Sequence, residues 1–109
     1  MKGIGIDIVN VLNLSDKVAN KILSKKEMVE FRAYLKDDHD RAMMFLGGRL
    51  AAKEAYLKAI GVSTYDGVNL CDLSIYKTEN GVPKFKGVPN AFLTLSHDAH
   101  LAVAVVVIE

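Results

Sequence analysis

Residues 3–9 read Gly-Ile-Gly-Ile-Asp-Ile-Val, a β-branched run that predicts a buried N-terminal strand interrupted by one acid, Asp7. Ser15 and Asp16 then open a short helix reaching about Leu23. Ser24 opens a second helix, because Ser24 and Glu27 have capping-box spacing and Leu23 and Met28 fall where a hydrophobic staple needs them. A third helix is expected from about Asp38 to Ile60, stopped by Gly61 in the left-handed conformation. At about 100° per residue, Gly48, Ala51, Ala52, Ala55 and Ala59 form one stripe of small residues along it. Met43, Leu46, Leu50 and Leu57 form a second, larger apolar stripe. A helix buried on two sides is central to its assembly, and small residues let another backbone approach closely.

The pattern beyond Gly61 is that of strands. Val68 to Lys77 predicts one, Asn80-Gly81 a hairpin turn, and Val82 to Phe85 the return. Ala91 to Ser96 and Leu101 to Ile108 form a second pair around His97-Asp98-Ala99-His100. A lone N-terminal strand, three helices with a long central one, and then antiparallel strands define an α+β fold. No repeat or linker divides the chain, so residues 1–109 are expected to form one domain.

Composition narrows the class of function. Half the 109 residues are apolar, enough for a packed core. Fourteen Lys and Arg against thirteen Asp and Glu leave a net charge of +1, so no global field draws the chain to nucleic acid or a membrane, and neither is expected as a partner. The apolar run Leu101 to Ile108 is too short to span a bilayer as a helix, and residues 1–5 lack the apolar block of a signal peptide. Cys71, the single cysteine, excludes an intrachain disulfide and reads as a small buried hydrophobe. A soluble cytoplasmic protein is expected.

Asp7 and Glu54 are the two anomalies. An acid inside an apolar strand needs a donor, a cation or a metal, and capping a nearby helix would serve as well. Glu54 lies among alanines and leucines, where it either pairs with Lys58 one turn on or joins Asp7 around a hard cation such as Mg²⁺. Arg49, Lys53 and Lys58 could neutralise phosphates or simply be solvated helix charges. His97 closes a strand and could equally bond its own turn. Asp37-Asp38-His39-Asp40 reads as a helix cap, and Gly3-Ile4-Gly5 lacks the flanking elements of a dinucleotide fingerprint. Lys17, Lys21 and Lys25 recur every four residues with Lys26 alongside. Lys25 and Lys26 fall in a first helical turn where cations oppose the helix dipole, which favours docking of an acidic partner over stability as their purpose.

Three segments in this order resemble one family. They are Gly3-Ile4-Gly5-Ile6-Asp7-Ile8-Val9, then Phe45-Leu46-Gly47-Gly48-Arg49-Leu50-Ala51-Ala52-Lys53-Glu54-Ala55, then Leu95-Ser96-His97-Asp98. Over nearly its whole length the chain resembles the short, single-domain holo-[acyl-carrier-protein] synthase class of 4′-phosphopantetheinyl transferases. The resemblance implies an enzyme of fatty acid and lipid metabolism that moves the phosphopantetheine arm of coenzyme A to a serine of acyl carrier protein, releasing adenosine 3′,5′-bisphosphate. Asp7 and Glu54 match acids that hold Mg²⁺ against the coenzyme A pyrophosphate, and Lys53 matches a catalytic lysine of the same motif. Arg49, Lys58 and His97 match coenzyme A-binding positions, and Gly61 begins a loop that contacts it. The family's short members form homotrimers with interfacial sites. Two features differ: Asn10 and Asn13 stand where the family has Glu and Arg, and Gly61-Val62-Ser63 replaces Gly-Thr-Gly. Carrier docking then falls to Lys17, Lys21, Lys25 and Lys26. A degenerate module that binds coenzyme A or a nucleotide without transfer, or a structural trimerisation domain, are the competing functions. Retention of Asp7, Lys53 and Glu54 together favours the enzyme.

Overall fold

A computed structural model describes residues 1–63 and 67–109. Strand β1 (Gly3–Asn10) leads through two short 3-10 turns into helices α1 (Ala19–Ile22), α2 (Lys25–Asp37) and α3 (His39–Ile60). The hairpin β2 (Ile75–Lys77) and β3 (Pro83–Phe85) follows, and then the long hairpin β4 (Ala91–Asp98) and β5 (Leu101–Ile108). β1, β5 and β4 form an antiparallel sheet in that order, with Asp7 opposite Ala104 and Ala104 opposite Leu95. The order of elements is the α+β order expected.

The helix signals hold at the level of single bonds. Ser24 and Glu27 make both bonds of the capping box, Asp38 caps α3 through Arg41 N, and Gly61 closes α3 at φ 76°. The small stripe of α3 explains how β1 seats. A Cβ on Gly5 would overlap the Ala55 carbonyl oxygen, and one on Gly3 would overlap that of Ala59. Glycines two residues apart therefore let one face of β1 lie directly on the helix, and Asp7 follows on the same face. Gly5→Ala should destabilise the protein by about 1–3 kcal/mol, because the clash is with backbone and cannot be relieved by a rotamer. A thermal melt or denaturant titration unchanged from the parent protein would refute that packing.

Four expectations require correction. β1 is buried on one face only: Ile4 (58%), Ile6 (59%) and Ile8 (59%) point away from α3 and stay exposed. The strand expected from Val68 begins only at Ile75, because the Asn69 side chain accepts from Cys71 N and winds Leu70–Asp72 into a 3-10 turn. β4 runs on through His97 to Asp98, leaving Ala99 (φ 52°) and His100 as a tight two-residue turn. Cys71 is half-buried, and its thiol donates to Asn20 O at 3.2 Å. No described helix is long and apolar enough to cross a membrane.

Candidate active site

Two groups of candidate residues lie on opposite flanks of α3. On the β1 flank stand Asp7, Glu54 and Lys58. Burial first, and the Asp7 carboxylate second, push Glu54 above the ordinary glutamate pKa, with Lys58 pulling the other way. Asp7 on the α3-facing side of β1 bonds Lys58, one turn beyond Glu54, so the strand acid and the helix acid lie on one flank. Lys58 Nζ donates to Asp7 Oδ1 at 3.2 Å and to Ile6 O at 3.0 Å, so it bonds the strand acid while acting on Glu54 only through its charge. Two carboxylates against one ammonium leave an excess of negative charge on hard oxygen donors. Among the described residues no group of three or more His, Cys, Asp or Glu side chains could hold a metal. A cation here would take two protein carboxylates and complete its shell with other oxygens, the habit of Mg²⁺.

The other flank holds a cavity of about 500 Å³ between α3, the end of β4 and the β2–β3 hairpin. That is the size of a small-cofactor site. Arg41, Arg49, Lys77 and His97 line it together with Tyr34 and Phe45. Arg49 is 4% exposed, and its guanidinium lies 4.5 Å over the Phe45 ring. Burial lowers its pKa, opposed first by Glu27 and then by Glu30, yet a guanidinium keeps its charge in a protein. A Cβ on Gly48, which also lines the cavity, would meet nothing within 4 Å, so the absence of a side chain keeps that wall open. Such a cationic cavity suits phosphate.

Arg41 and Lys77 escaped the sequence reading. Arg41 lies in the first turn of α3, stacked 4.5 Å over Tyr34. The signal available was the one noted at Lys25 and Lys26, a cation where the helix dipole disfavours it. Nothing local marks Lys77, which reaches the cavity only because the β2–β3 hairpin folds against β4.

Lys53 belongs to neither flank. It is fully buried, and its Nζ donates to Glu27 Oε1 at 2.6 Å, Ile22 O at 2.6 Å and Leu70 O at 3.0 Å. Three donors meet three acceptors, the pattern of an ammonium. Burial pushes its pKa down and the Glu27 hydrogen bond holds it up. Gly61 caps α3 and lines neither of the two described cavities. Lys17, Lys21, Lys25 and Lys26 are all exposed, on the turn before α1, on α1 and on the first turn of α2.

Comparison with known proteins matches residues 3–106 to the family model for the 4′-phosphopantetheinyl transferase superfamily. Holo-[acyl-carrier-protein] synthase of Listeria monocytogenes serotype 4b (strain CLIP80459) is 34% identical across the whole of this chain and 98% of its own. The enzyme of that name from Lactobacillus delbrueckii subsp. bulgaricus (strain ATCC BAA-365 / Lb-18) is 37% identical over the whole of this chain and 84% of its own. Among solved structures, a holo-(acyl-carrier-protein) synthase from Bacillus anthracis in complex with CoA (3′,5′-ADP) superposes with a TM-score of 0.87. It is 33% identical over 99% of this chain and 96% of that one.

Proposed function

Since the chain belongs to the 4′-phosphopantetheinyl transferase superfamily, we propose that it transfers the phosphopantetheine arm of coenzyme A to a serine of apo acyl carrier protein. The observation that carries this is the convergence of Asp7 and Glu54 on one flank of α3, beside Lys58. Asp7 and Glu54 would hold Mg²⁺, and their oxygen donors and surplus charge fit it. When bound, Mg²⁺ supplies neutralisation of the diphosphate oxygens. The carrier serine hydroxyl attacks the β-phosphorus, and the bond from that phosphorus to the bridging oxygen breaks. Adenosine 3′,5′-bisphosphate leaves with the bond's electron pair. Glu54 takes the serine proton directly or through a water. Lys58 offsets phosphate charge, and the Arg49–His97 cavity takes the phosphate-bearing nucleotide half. Positioning and charge neutralisation are most of what phosphoryl transfer requires.

One protomer holds the acids and the cationic cavity on opposite flanks of a helix about 10 Å thick. A second copy can bring one flank to the other, which supports the homotrimer with interfacial sites. The face of the sheet turned away from α3 offers the surface: Ile4, Ile6 and Ile8 stand beside Val107, Val105 and Val103, with Phe92 (52% exposed) next in row. A contiguous apolar face of this kind marks an association site. Ile6→Glu, at its centre, should convert the oligomer to monomer in light scattering and abolish transfer; an unchanged mass would reject this face as the interface.

Lys17, Lys21, Lys25 and Lys26 would dock the acidic carrier, in the cytoplasm where carrier and coenzyme A meet. Reversing charge at Lys21 and Lys25 should raise the carrier KM about tenfold while the coenzyme A KM stays put, since rim charges steer association. Equal KM values for the carrier would remove that surface from consideration. The activity itself is tested by incubating apo carrier, coenzyme A, Mg²⁺ and this protein, then weighing the carrier by mass spectrometry. Covalent gain of the arm is expected. Coenzyme A binding without gain would leave a binding module, and neither would leave a scaffold.

A further inference from the structure

We infer that Glu27 is a positioning residue for coenzyme A, holding Arg49 at the wall of the cationic cavity. This rests on assigning that cavity to the phosphates of coenzyme A. Glu27 is 1% exposed, and three hydrogen bonds fix its carboxylate before Arg49 is considered. Oε1 accepts from Lys53 Nζ at 2.6 Å and from Ser24 N at 2.8 Å. Oε2 accepts from Ile75 N at 3.0 Å and stands 3.5 Å from Arg49 Nε. Helix α2, helix α3 and strand β2 therefore meet on one side chain.

Charge balance shows what the cluster is for. Lys53 already neutralises Glu27, and its three donors are spent on protein acceptors. Arg49 adds a second buried cation, so the trio itself carries a net positive charge in a desolvated place, with the exposed Glu30 acting on Arg49 only by its charge. Such an excess is costly unless an anion completes it. Arg49 Nε is buried with no hydrogen-bond partner, so the contact with Glu27 orients the group by charge and leaves its donors uncommitted. Phe45 lies 4.5 Å beneath the guanidinium and limits its swing. Held by carboxylate and ring, Arg49 has the cavity it lines as its remaining outlet. A guanidinium so pre-set loses little freedom on meeting a phosphate.

Glu27 also closes the capping box that starts α2, where Lys25 and Lys26 stand. Glutamine keeps that box with its one oxygen on Ser24 N, so Glu27→Gln removes the charge and keeps the cap while giving up the bond from Ile75 N. Because Glu27→Gln alone strands the buried Lys53, the informative variant is Glu27→Gln/Lys53→Met, a neutral pair of similar volume. It is compared with Lys53→Met, in which Glu27 still faces Arg49.

Coenzyme A binding is measured by calorimetry and by KM for these variants and for Arg49→Lys. The double variant should bind coenzyme A about tenfold more weakly than Lys53→Met, the scale of one charge-assisted hydrogen bond. Its carrier KM should stay within about twofold, as the intact cap predicts, and the coenzyme A penalty should vanish in the Arg49→Lys background, as for residues acting as a unit. Equal coenzyme A affinity for the double variant and Lys53→Met, with Arg49→Lys weakened, would overturn the role of Glu27 and leave the cavity assignment intact. Parent-like affinity in Arg49→Lys would overturn the cavity assignment and, with it, the role of Glu27.

Discussion

Asp7→Ala and Glu54→Ala are each expected to lower the rate of transfer by about a thousandfold while leaving the fold in place. The size follows from losing several kcal/mol of charge stabilisation at the reacting phosphate, with each 1.36 kcal/mol worth tenfold in rate. Neither change should harm stability. The partner of Asp7 is Lys58, whose side chain is 56% exposed, and such pairs contribute about 0–1 kcal/mol. Glu54 is half-buried beside another carboxylate, so removing it relieves a repulsion. Single-turnover transfer and a thermal melt on the same samples check both halves. Turnover close to that of the parent protein in either variant would remove the acids from the chemistry.

Lys53→Ala should act in the opposite way, through the fold. Removing one partner of a fully buried ion pair costs about 3–5 kcal/mol, and here Glu27 would keep only its 3.5 Å contact with Arg49. Domains of this size have about 5–15 kcal/mol in all. The substitution also removes the Lys53 donor from Ile22 O and Leu70 O, loosening the junction of α1 with the 3-10 turn before β2. A urea titration should show the midpoint falling steeply. Parent-like stability with lost activity would mean that Lys53 reaches the phosphates, as the family motif alone implies, and that the buried geometry is not what holds in solution.

These two predictions divide along the line between what the sequence disclosed and what it hid. Gly3 and Gly5 were read only as a failed dinucleotide fingerprint, and their seat on Ala59 and Ala55 shows only in the fold, whereas Asp7 and Glu54 stood out because each broke an apolar pattern. Helix starts and stops were legible for the same reason: Ser24, Asp38 and Gly61 each satisfy backbone groups within a few residues of themselves. Glu27 was read only as the far end of a capping box. Its larger role needs Lys53 and Ile75, which lie 26 and 48 residues away, and no local pattern records such pairings. The open face of β1 was hidden for a related reason, since a run of isoleucines has the same composition whether it faces a core or a second subunit. The turn at Asn69 was missed because an Asn side chain bonding two residues ahead overrides the strand preference of its apolar neighbours.

Binding of Mn²⁺, a spectroscopically visible substitute for Mg²⁺ at oxygen sites, tests the acid pair most directly. Titrated with Mn²⁺ in the presence of coenzyme A and followed by electron paramagnetic resonance, the parent protein should take up one ion per site, and Asp7→Ala and Glu54→Ala should leave the ion free in solution. Equal uptake by all three proteins would place the metal elsewhere and contradict the assignment of Asp7 and Glu54.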